Sequence, residues 1–152
     1  MPQGNCHQLD ASILVELFSP ANSRNRHLKH RARGYLLGQV GKAIHGFVST
    51  PALGEVVLAI LRYYPDTAAQ ADALIALVDL IHRSRLDINS PNREAYSIAL
   101  EVLENDYRID PSDALRVAEA VVADAVLVTI DQKLLSSGYL KKRQDVKVID
   151  LP

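Results

Sequence analysis

The sequence predicts an α/β fold built on a mostly parallel sheet, and three observations lead to this prediction. Helical and strand-like segments alternate along most of the chain. A helix beginning at Pro111 leads into Val126–Ile130, a short apolar, β-branched run typical of a strand that is buried on both faces. Proline follows a capping side chain at several predicted helix starts, as it does after Asp110. A helix that leads into a buried strand is typical of parallel α/β layers.

Length and composition indicate an ordinary soluble domain. At 152 residues the chain has the length of one domain, so we expect residues 1–152 to fold as a single unit. No apolar run approaches the ~18 residues that a membrane span requires, and the start, M-P-Q-G-N-C-H-Q, lacks the features of a secretory signal. We therefore expect a cytoplasmic protein without membrane contact. A single cysteine, Cys6, excludes an intramolecular disulfide and a cysteine-rich zinc site.

The first half of the chain predicts two strands, each followed by helices. The first strand is a weak candidate, because few of its residues are apolar. We expect Thr50 to be the N-cap of the third helix and Pro51 to be its first residue. The predicted elements, in order, are strand Asn5–Asp10, helices Ala11–Phe18 and Ser23–Gln39, strand His45–Ser49 and helix Pro51–Tyr64.

The second half continues the alternation of helices and strands. Ser90 and Pro91 are expected to supply the cap and first turn of one helix. The two amphipathic helices Pro51–Tyr64 and Thr67–Arg83 could form a dimer face, or could equally be used inside the monomer. The predicted elements are helix Thr67–Arg83, strand Leu86–Ile88, a helix from Pro91 to about Asp106, the helix from Pro111, strand Val126–Ile130, helix Gln132–Ser136 and edge strand Val146–Ile149.

Four acidic residues lie at strand-to-helix junctions or in the first turns that follow them: Asp10, Glu55, Asp113 and Asp131. Ligands of open parallel sheets bind beyond the carboxyl ends of the strands, where these acids are expected to meet. Each has a simpler alternative. Asp10 and Asp113 could be helix caps, Asp131 could form a turn, and Glu55, opposite the apolar stripe of its helix, could face solvent.

A positively charged segment accompanies these acids. No acidic residue occurs between Glu16 and Glu55, and a smaller basic run is found at Lys141–Arg143. Such segments can be solvated helix faces, but beside an acidic cleft they favour a track for a polyanion such as nucleic acid. The basic residues of the longer segment are Arg24, Arg26, Lys29, Arg31, Arg33 and Lys42.

Four short motifs together resemble the PIN domain, a family of metal-dependent nucleases that includes the VapC toxins of toxin–antitoxin pairs. They are D-A-S-I-L from Asp10, G-E-V around Glu55, D-A-L-R-V-A-E-A from Asp113, and L-V-T-I-D-Q-K-L-L, which ends at Leu135. The order and spacing of these motifs cover most of the chain. The resemblance implies a three-layer α/β/α sandwich with a central, mostly parallel sheet of four to five strands.

The resemblance also implies a metal site. Mg²⁺ and Mn²⁺ prefer hard oxygen ligands and bind through a few carboxylates together with substrate phosphate, and a metal-activated water would attack phosphorus. Many relatives carry a further acid shortly after the fourth, a region that here reads Gln132-Lys133-Leu134, which argues against a second metal site. The implied metal ligands and catalytic residues are Asp10, Glu55, Asp113 and Asp131, with the hydroxyls of Ser12 and Thr129 orienting the site.

The leading hypothesis is therefore a metal-dependent endoribonuclease that cleaves single-stranded or loop RNA, as a VapC-type toxin does. The family resemblance implies a homodimer and a cognate antitoxin partner. One alternative is a nuclease that matures ribosomal RNA or acts on structured DNA, and another is a module that binds RNA or protein without cleaving it. The residues expected to contact RNA are Arg24, Arg26, Lys29, Arg31 and Arg33.

Overall fold

Five parallel strands form the centre of the molecule. The computed structural model describes residues 5–22 and 24–152, so Ser23, the predicted start of the second helix, and residues 1–4 lie outside the described residues. The sheet order is β3-β2-β1-β4-β5, and every neighbouring pair is parallel. The predicted parallel sheet is thus confirmed. The strands are β1 (Cys6–Leu9), β2 (His45–Ser49), β3 (Asp87–Asn89), β4 (Val126–Thr129) and β5 (Lys147–Asp150).

Helices cover both faces of the sheet. The helices are α1 (Ala11–Phe18), α2 (Arg26–Gly38), α3 (Thr50–Tyr63), α4 (Thr67–Ser84), α5 (Arg93–Asn105), α6 (Pro111–Val122), α7 (Gln132–Ser136) and α8 (Gly138–Lys142). One cluster of buried apolar residues joins the sheet to α1–α4 through Leu9 and Val128, and a second joins it to α5–α8 through Leu127. This arrangement confirms the three-layer sandwich. Among the described residues, no helix is long and apolar enough to cross a membrane.

The first strand lies at the middle of the sheet although its sequence is polar. His7 is buried and its ring nitrogen Nδ1 forms a hydrogen bond with the hydroxyl of Tyr35 on α2. Gln8 is fully buried on the opposite face, where its Nε2 donates to Oε2 of Glu119 on α6 at 3.3 Å. Buried polar groups are tolerated when they have such partners. The weak strand pattern of β1 therefore reflects polar contacts with both helical layers.

The structure corrects two predicted helix starts and adds one helix. Ser49, rather than Thr50, caps α3 by accepting a hydrogen bond from the amide of Ala52 at 3.4 Å. Asn92, rather than Ser90, caps α5. In both cases the capping residue has extended backbone and its side chain reaches an amide three residues later, which is the geometry that a cap requires. Helix α8, which was not predicted, is capped by Ser137.

The strand order creates a crevice at the centre of the sheet. After β1 the chain builds β2 and β3 on one side of it, whereas β4 and β5 lie on the other side. The connections that leave β1 and β4 therefore diverge at their carboxyl ends. In parallel sheets this topological switch point is where ligands bind.

Gly46 on β2 packs closely against the side chains of Val40 and Leu86. An added Cβ at Gly46 would overlap Val40 Cγ1 and lie 3.0 Å from Leu86 Cδ2, whereas nothing lies within 4 Å of a Cβ at Gly34 on α2. We expect Gly46→Ala to lower the free energy of unfolding by about 1–3 kcal/mol because it overpacks the core. Gly34→Ala should raise it by about 1 kcal/mol, since alanine favours helix. Urea denaturation of both variants measures the difference, and equal stabilities would contradict this packing.

Candidate active site

Asp10 follows β1 directly and lies at the bottom of the crevice. Its side chain is only 2% exposed and forms no cap hydrogen bond with α1, although Asp10 occupies the N-cap position. One carboxylate oxygen, Oδ1, accepts from Arg116 Nε at 2.5 Å, and the other accepts from Thr129 Oγ1 at 2.7 Å and from the hydroxyl of Ser12. The carboxylate is thus held by three side chains, and the helix-cap alternative does not describe it.

The two hydroxyls named in the sequence analysis join the ends of β1 and β4. Thr129, the last residue of β4, is fully buried, and its Oγ1 lies 3.4 Å from Ser12 Oγ. Thr129 Oγ1 also accepts from the backbone amide of Asp131 at 3.0 Å. Both hydroxyls donate to the carboxylate of Asp10. They therefore fix the orientation of that carboxylate relative to the chain that leaves β4.

Asp113 is a buried carboxylate surrounded by other acids. It lies in the first turn of α6 with 7% of its surface exposed, but Asp110 caps this helix by accepting from the Asp113 amide at 2.9 Å. Burial, followed by the charges of Asp110, Asp10 and Asp131, raises the pKa of Asp113 to about 7, and the nearby Arg116 offsets only part of this effect. Asp110, and not Asp113, is therefore the cap of α6, so the Asp113 carboxylate is not used as a helix cap.

Asp131 lies at the rim of the crevice, directly after β4. Its side chain is partly exposed, and its Oδ1 accepts from the amide of Lys133 at 2.8 Å, which caps the short helix α7. This contact matches the structural alternative for Asp131. The charge of Asp131 also acts on Asp113 across the crevice. Asp131 therefore combines a cap with a place in the acidic site.

Glu55 reaches the site through an arginine that the sequence analysis did not single out. Arg116, one turn after Asp113 on α6, is 2% exposed; its Nη2 lies 2.5 Å from Glu55 Oε1, and its Nε contacts Asp10. The hydroxyl of Ser112 donates to Glu55 and accepts from Arg116 Nη2 at 2.9 Å. Burial would lower the pKa of Arg116, but the carboxylates of Asp10 and Glu55 raise it above its usual value.

The family follows from a match over most of the chain. The family model described as PIN domain matches residues 8–137. The chain belongs to the PIN domain family. Proteins of this family are generally nucleases that use divalent metal ions, so membership supports a hydrolytic nuclease. The sequence matches none of the curated proteins with which it was compared.

Structures of toxin–antitoxin proteins share this PIN fold. VapBC2 from Rickettsia felis, bound to a DNA fragment from its promoter, is 15% identical with a TM-score of 0.64, covering 97% of this chain and 99% of that chain. VapBC-1 from nontypeable Haemophilus influenzae is 17% identical with a TM-score of 0.66, covering 96% and 98%. VapBC-5 from Mycobacterium tuberculosis, a member of the VapBC family of toxin-antitoxin systems, is 16% identical with a TM-score of 0.60, covering 96% and 98%. At this identity the likeness establishes the fold.

The acidic site of this PIN domain fits a divalent metal in its chemistry. Within residues 5–22 and 24–152, no group of three or more His, Cys, Asp or Glu side chains has its donor atoms arranged to hold a metal ion. Asp10 and Glu55 are both paired with Arg116. The carboxylates around Asp113 are nevertheless hard oxygen donors whose mutual repulsion a divalent cation would relieve. Asp113, with Asp10 and Asp131 beside it, is therefore the centre of the candidate metal site.

The basic segment of the PIN domain divides into exposed and internally bound side chains. Arg24, Arg26 and Arg33 are exposed. Lys29 donates to three backbone carbonyl groups at the end of α1, and Arg31 pairs with the last carboxylate of β5 at 3.7 Å. Lys29 and Arg31 therefore make structural contacts in this chain, whereas the other three arginines are exposed at the surface, where a ligand could contact them.

Part of this segment lines a groove between α1, α2 and α4, with a volume of about 390 Å³. The groove is lined by basic and apolar side chains, with Leu17, Phe18 and Leu80 among the apolar ones, and by one acid, Asp79, which pairs with Arg83 at 3.4 Å. None of the four acids of the candidate site contributes to it. The basic residues that line it are Arg26, Lys29, His30, Arg33 and Arg83.

Proposed function

We propose that this protein is a metal-dependent endoribonuclease that cleaves single-stranded or loop RNA and acts as the toxin of a toxin–antitoxin pair in the cytoplasm. The observation that carries the proposal is the buried Asp113 carboxylate beside Asp10 and Asp131, at the topological switch point of a PIN fold. Carboxylates that accumulate without enough compensating charge are typical of functional sites. Nucleic-acid hydrolysis at a metal is the chemistry that suits them best.

The residues of the candidate site would have the following roles in RNA cleavage. A bound Mg²⁺ or Mn²⁺ would activate water for attack on phosphorus and would stabilise negative charge on the phosphate. Asp113 and Asp131 would hold the ion, with Asp10 and Glu55 completing the acidic quartet. The hydroxyls that bind Asp10 would keep its carboxylate in one orientation, so that little reorganisation is needed when substrate arrives.

Cleavage of a labelled RNA tests this function. We would incubate a single-stranded RNA and a hairpin RNA with the wild-type protein in Mn²⁺, Mg²⁺ or EDTA, and repeat the assay with Asp113→Asn. Metal-dependent products that are lost in the variant would support the nuclease. Cleavage of structured DNA or of a ribosomal RNA precursor in place of the short RNAs would favour the processing alternative. RNA binding without products at any Mn²⁺ concentration would favour the binding module.

The exposed arginines of the basic segment are the proposed contacts with the RNA backbone. We expect Arg26→Gln/Arg33→Gln to weaken RNA binding and to reduce the slope of log affinity against log salt by roughly 1.4, since each phosphate contact with single strands contributes about 0.7. Arg62→Gln/Arg93→Gln removes two exposed arginines from other helices and is the matched control. Fluorescence anisotropy at several salt concentrations measures both slopes. Equal slopes for the two double variants would exclude this basic segment from the RNA track.

We further propose that an antitoxin segment binds the basic groove between α1, α2 and α4. Its basic and apolar lining suits an acidic, amphipathic segment, and VapBC toxin–antitoxin proteins share the fold. Such a segment would cover arginines proposed to bind RNA and would thereby inhibit the nuclease. If a small protein is encoded immediately upstream of this gene, its co-expression should then relieve growth arrest, and unchanged arrest would argue against this partner.

A homodimer is proposed from the surface of α3 and α4. Four large apolar side chains on these helices are between 43% and 67% exposed, and a second copy of the chain could cover them. Light scattering should give the mass of a dimer for the wild type and of a monomer for Ile75→Glu. These side chains are Leu58, Leu61, Ile75 and Val78.

A further inference from the structure

A guanidinium lies inside the acidic site, for which the family resemblance implies carboxylates, two orienting hydroxyls and a metal. Arg116 and Asp10 are each 2% exposed, and the Nε–Oδ1 distance between them is 2.5 Å. On the other side, Arg116 Nη2 lies 2.5 Å from Oε1 of Glu55, which is 40% exposed. Both remaining contacts of the guanidinium are with Ser112, through its hydroxyl at 2.9 Å and its backbone carbonyl at 3.3 Å. The side chain is therefore fixed in place by four contacts.

We propose that Arg116 is a resident cation of this site, which neutralises Asp10 and Glu55 and leaves Asp113 and Asp131 as the principal ligands of a single divalent ion. This inference rests on the metal site of the proposed function and concerns how that site is divided. It assigns opposite ends of the quartet to different cations: a permanent guanidinium at one end and an exchangeable metal at the other.

The contacts of Asp10 support this division. One of its carboxylate oxygens accepts from Arg116, and the other accepts from two hydroxyl groups, those of Ser12 and Thr129. A carboxylate with both oxygens engaged in this way has little remaining capacity for a metal. Asp113 differs from Asp10: it is buried, the charges of Asp110, Asp10 and Asp131 act on it, and Arg116, already paired with Asp10 and Glu55, offsets only part of their effect. The uncompensated negative charge thus lies at the Asp113 end of the site.

The positive charge of Arg116 should also affect the affinity of the site for a divalent metal. A guanidinium repels a divalent cation bound at a neighbouring carboxylate, and burial strengthens this repulsion because little water screens it. Removal of Arg116 should therefore increase the affinity for metal. If Arg116 has only a structural role and does not repel the ion, a folded Arg116 variant should bind metal with unchanged affinity.

Manganese binding tests the inference without measuring RNA cleavage. We would titrate the full chain with Mn²⁺ at pH 8, by calorimetry and by the electron paramagnetic resonance of free Mn²⁺, for the wild type, Arg116→Met and Arg116→Lys. Arg143→Met is the matched control, since Arg143 is also mostly buried and paired with two acids, Glu101 and Asp145, but lies outside the site. We expect one ion per chain in the wild type, at least tenfold tighter binding in Arg116→Met, and near wild-type binding in Arg116→Lys and Arg143→Met.

Other results of the Mn²⁺ titrations would contradict either the role of Arg116 or the metal site. Equal or weaker Mn²⁺ binding in a folded Arg116→Met variant would overturn the role of Arg116 while leaving the metal site intact. Absence of Mn²⁺ binding in all four proteins would overturn the metal site itself, and the inference with it. If Arg116→Met does not fold, the ¹⁵N-labelled wild type decides: the Arg116 Nε–H signal should stay protected from solvent exchange at saturating Mg²⁺. Loss of that protection would mean that metal displaces the guanidinium.

Discussion

Asp113→Asn is expected to stabilise the metal-free protein at pH 8 while it abolishes RNA cleavage. The ionised Asp113 carboxylate is buried among other acids, so the fold is strained electrostatically whenever no cation is bound. Asparagine has nearly the same shape and carries no charge. The gain should be on the order of 4 kcal/mol, from the difference between a pKa of about 7 in the fold and the pKa of an ordinary aspartate. The loss of a favourable charge at the helix N-terminus offsets only about 0.5 kcal/mol of this.

The pH dependence of this effect has a definite sign. The pKa of Asp113 is raised in the folded protein, so the fold binds a proton more tightly than the unfolded chain does. Its contribution to stability is therefore complete below the pKa of an unfolded aspartate and is lost as the pH rises through about 7. In EDTA, the wild type and Asp113→Asn should have similar stabilities near pH 4, and the variant should be the more stable one at pH 8.

Thermal unfolding in EDTA and in Mg²⁺ measures both parts of this prediction. At pH 8 in EDTA, the variant should melt roughly 8–16 °C above the wild type, as 4 kcal/mol implies for a chain of this size. Addition of Mg²⁺ should stabilise the wild type far more than the variant. Asp72→Asn removes an exposed acid from α4 and should change neither curve. A variant that melts below the wild type at pH 8 in EDTA would contradict the proposed electrostatic strain.

Asp10→Asn should have the opposite effect on stability, although Asp10 belongs to the same acidic quartet. Its carboxylate is the buried charged partner of Arg116, and the loss of that charge leaves the guanidinium paired with the carboxylate of Glu55, which is partly exposed to solvent. Removing one partner of a buried ion pair typically costs about 3–5 kcal/mol. We therefore expect a lowered melting temperature at all pH values at which aspartate is ionised, together with loss of cleavage.

A double-mutant cycle separates this ion pair from other effects of the substitution. The double variant Asp10→Asn/Arg116→Met should be more stable than Asp10→Asn alone, because no unpaired guanidinium remains in the interior. Asp131→Asn serves as the control within the site, since the side chain of Asp131 is partly exposed and asparagine can still cap α7. Additive effects of the two substitutions in urea denaturation would show that Asp10 and Arg116 do not stabilise each other.

The sequence predicted the parallel sheet and the common edge of the acids because both depend on local signals. The alternation of helices and strands fixes the layers, and the residue after each strand lies at the carboxyl edge wherever the strand is placed. Asp10 and Asp131 could therefore be placed from sequence alone. Helix caps were less certain, because Ser49 and Thr50 are both good capping residues and only the backbone conformation decides between them.

Arg116 and the polar residues of β1 could not be placed from sequence, because their roles depend on contacts with distant segments. Arginine is normally exposed, and a buried one is explained only by its acidic partners, here 106 and 61 residues away in the chain. The available signal was the pair of charged residues, Arg116 and Glu119, within the otherwise apolar run L-R-V-A-E-A-V-V. Likewise, Gln8 weakens the strand pattern until Glu119 is known to be its partner.

The central place of β1 in the sheet has a consequence for synthesis and folding of the chain. The strand that is made first pairs with β2 about 40 residues later and with β4 about 120 residues later. At translation rates of about 5–20 residues per second, β1 waits on the order of ten seconds for its second neighbour. Thr129 and Asp131 arrive with that neighbour, so a nascent or truncated chain has no complete acidic site. The nuclease proposed here would therefore be inactive until β4 has paired with β1. Its ability to cleave RNA would depend on completed folding.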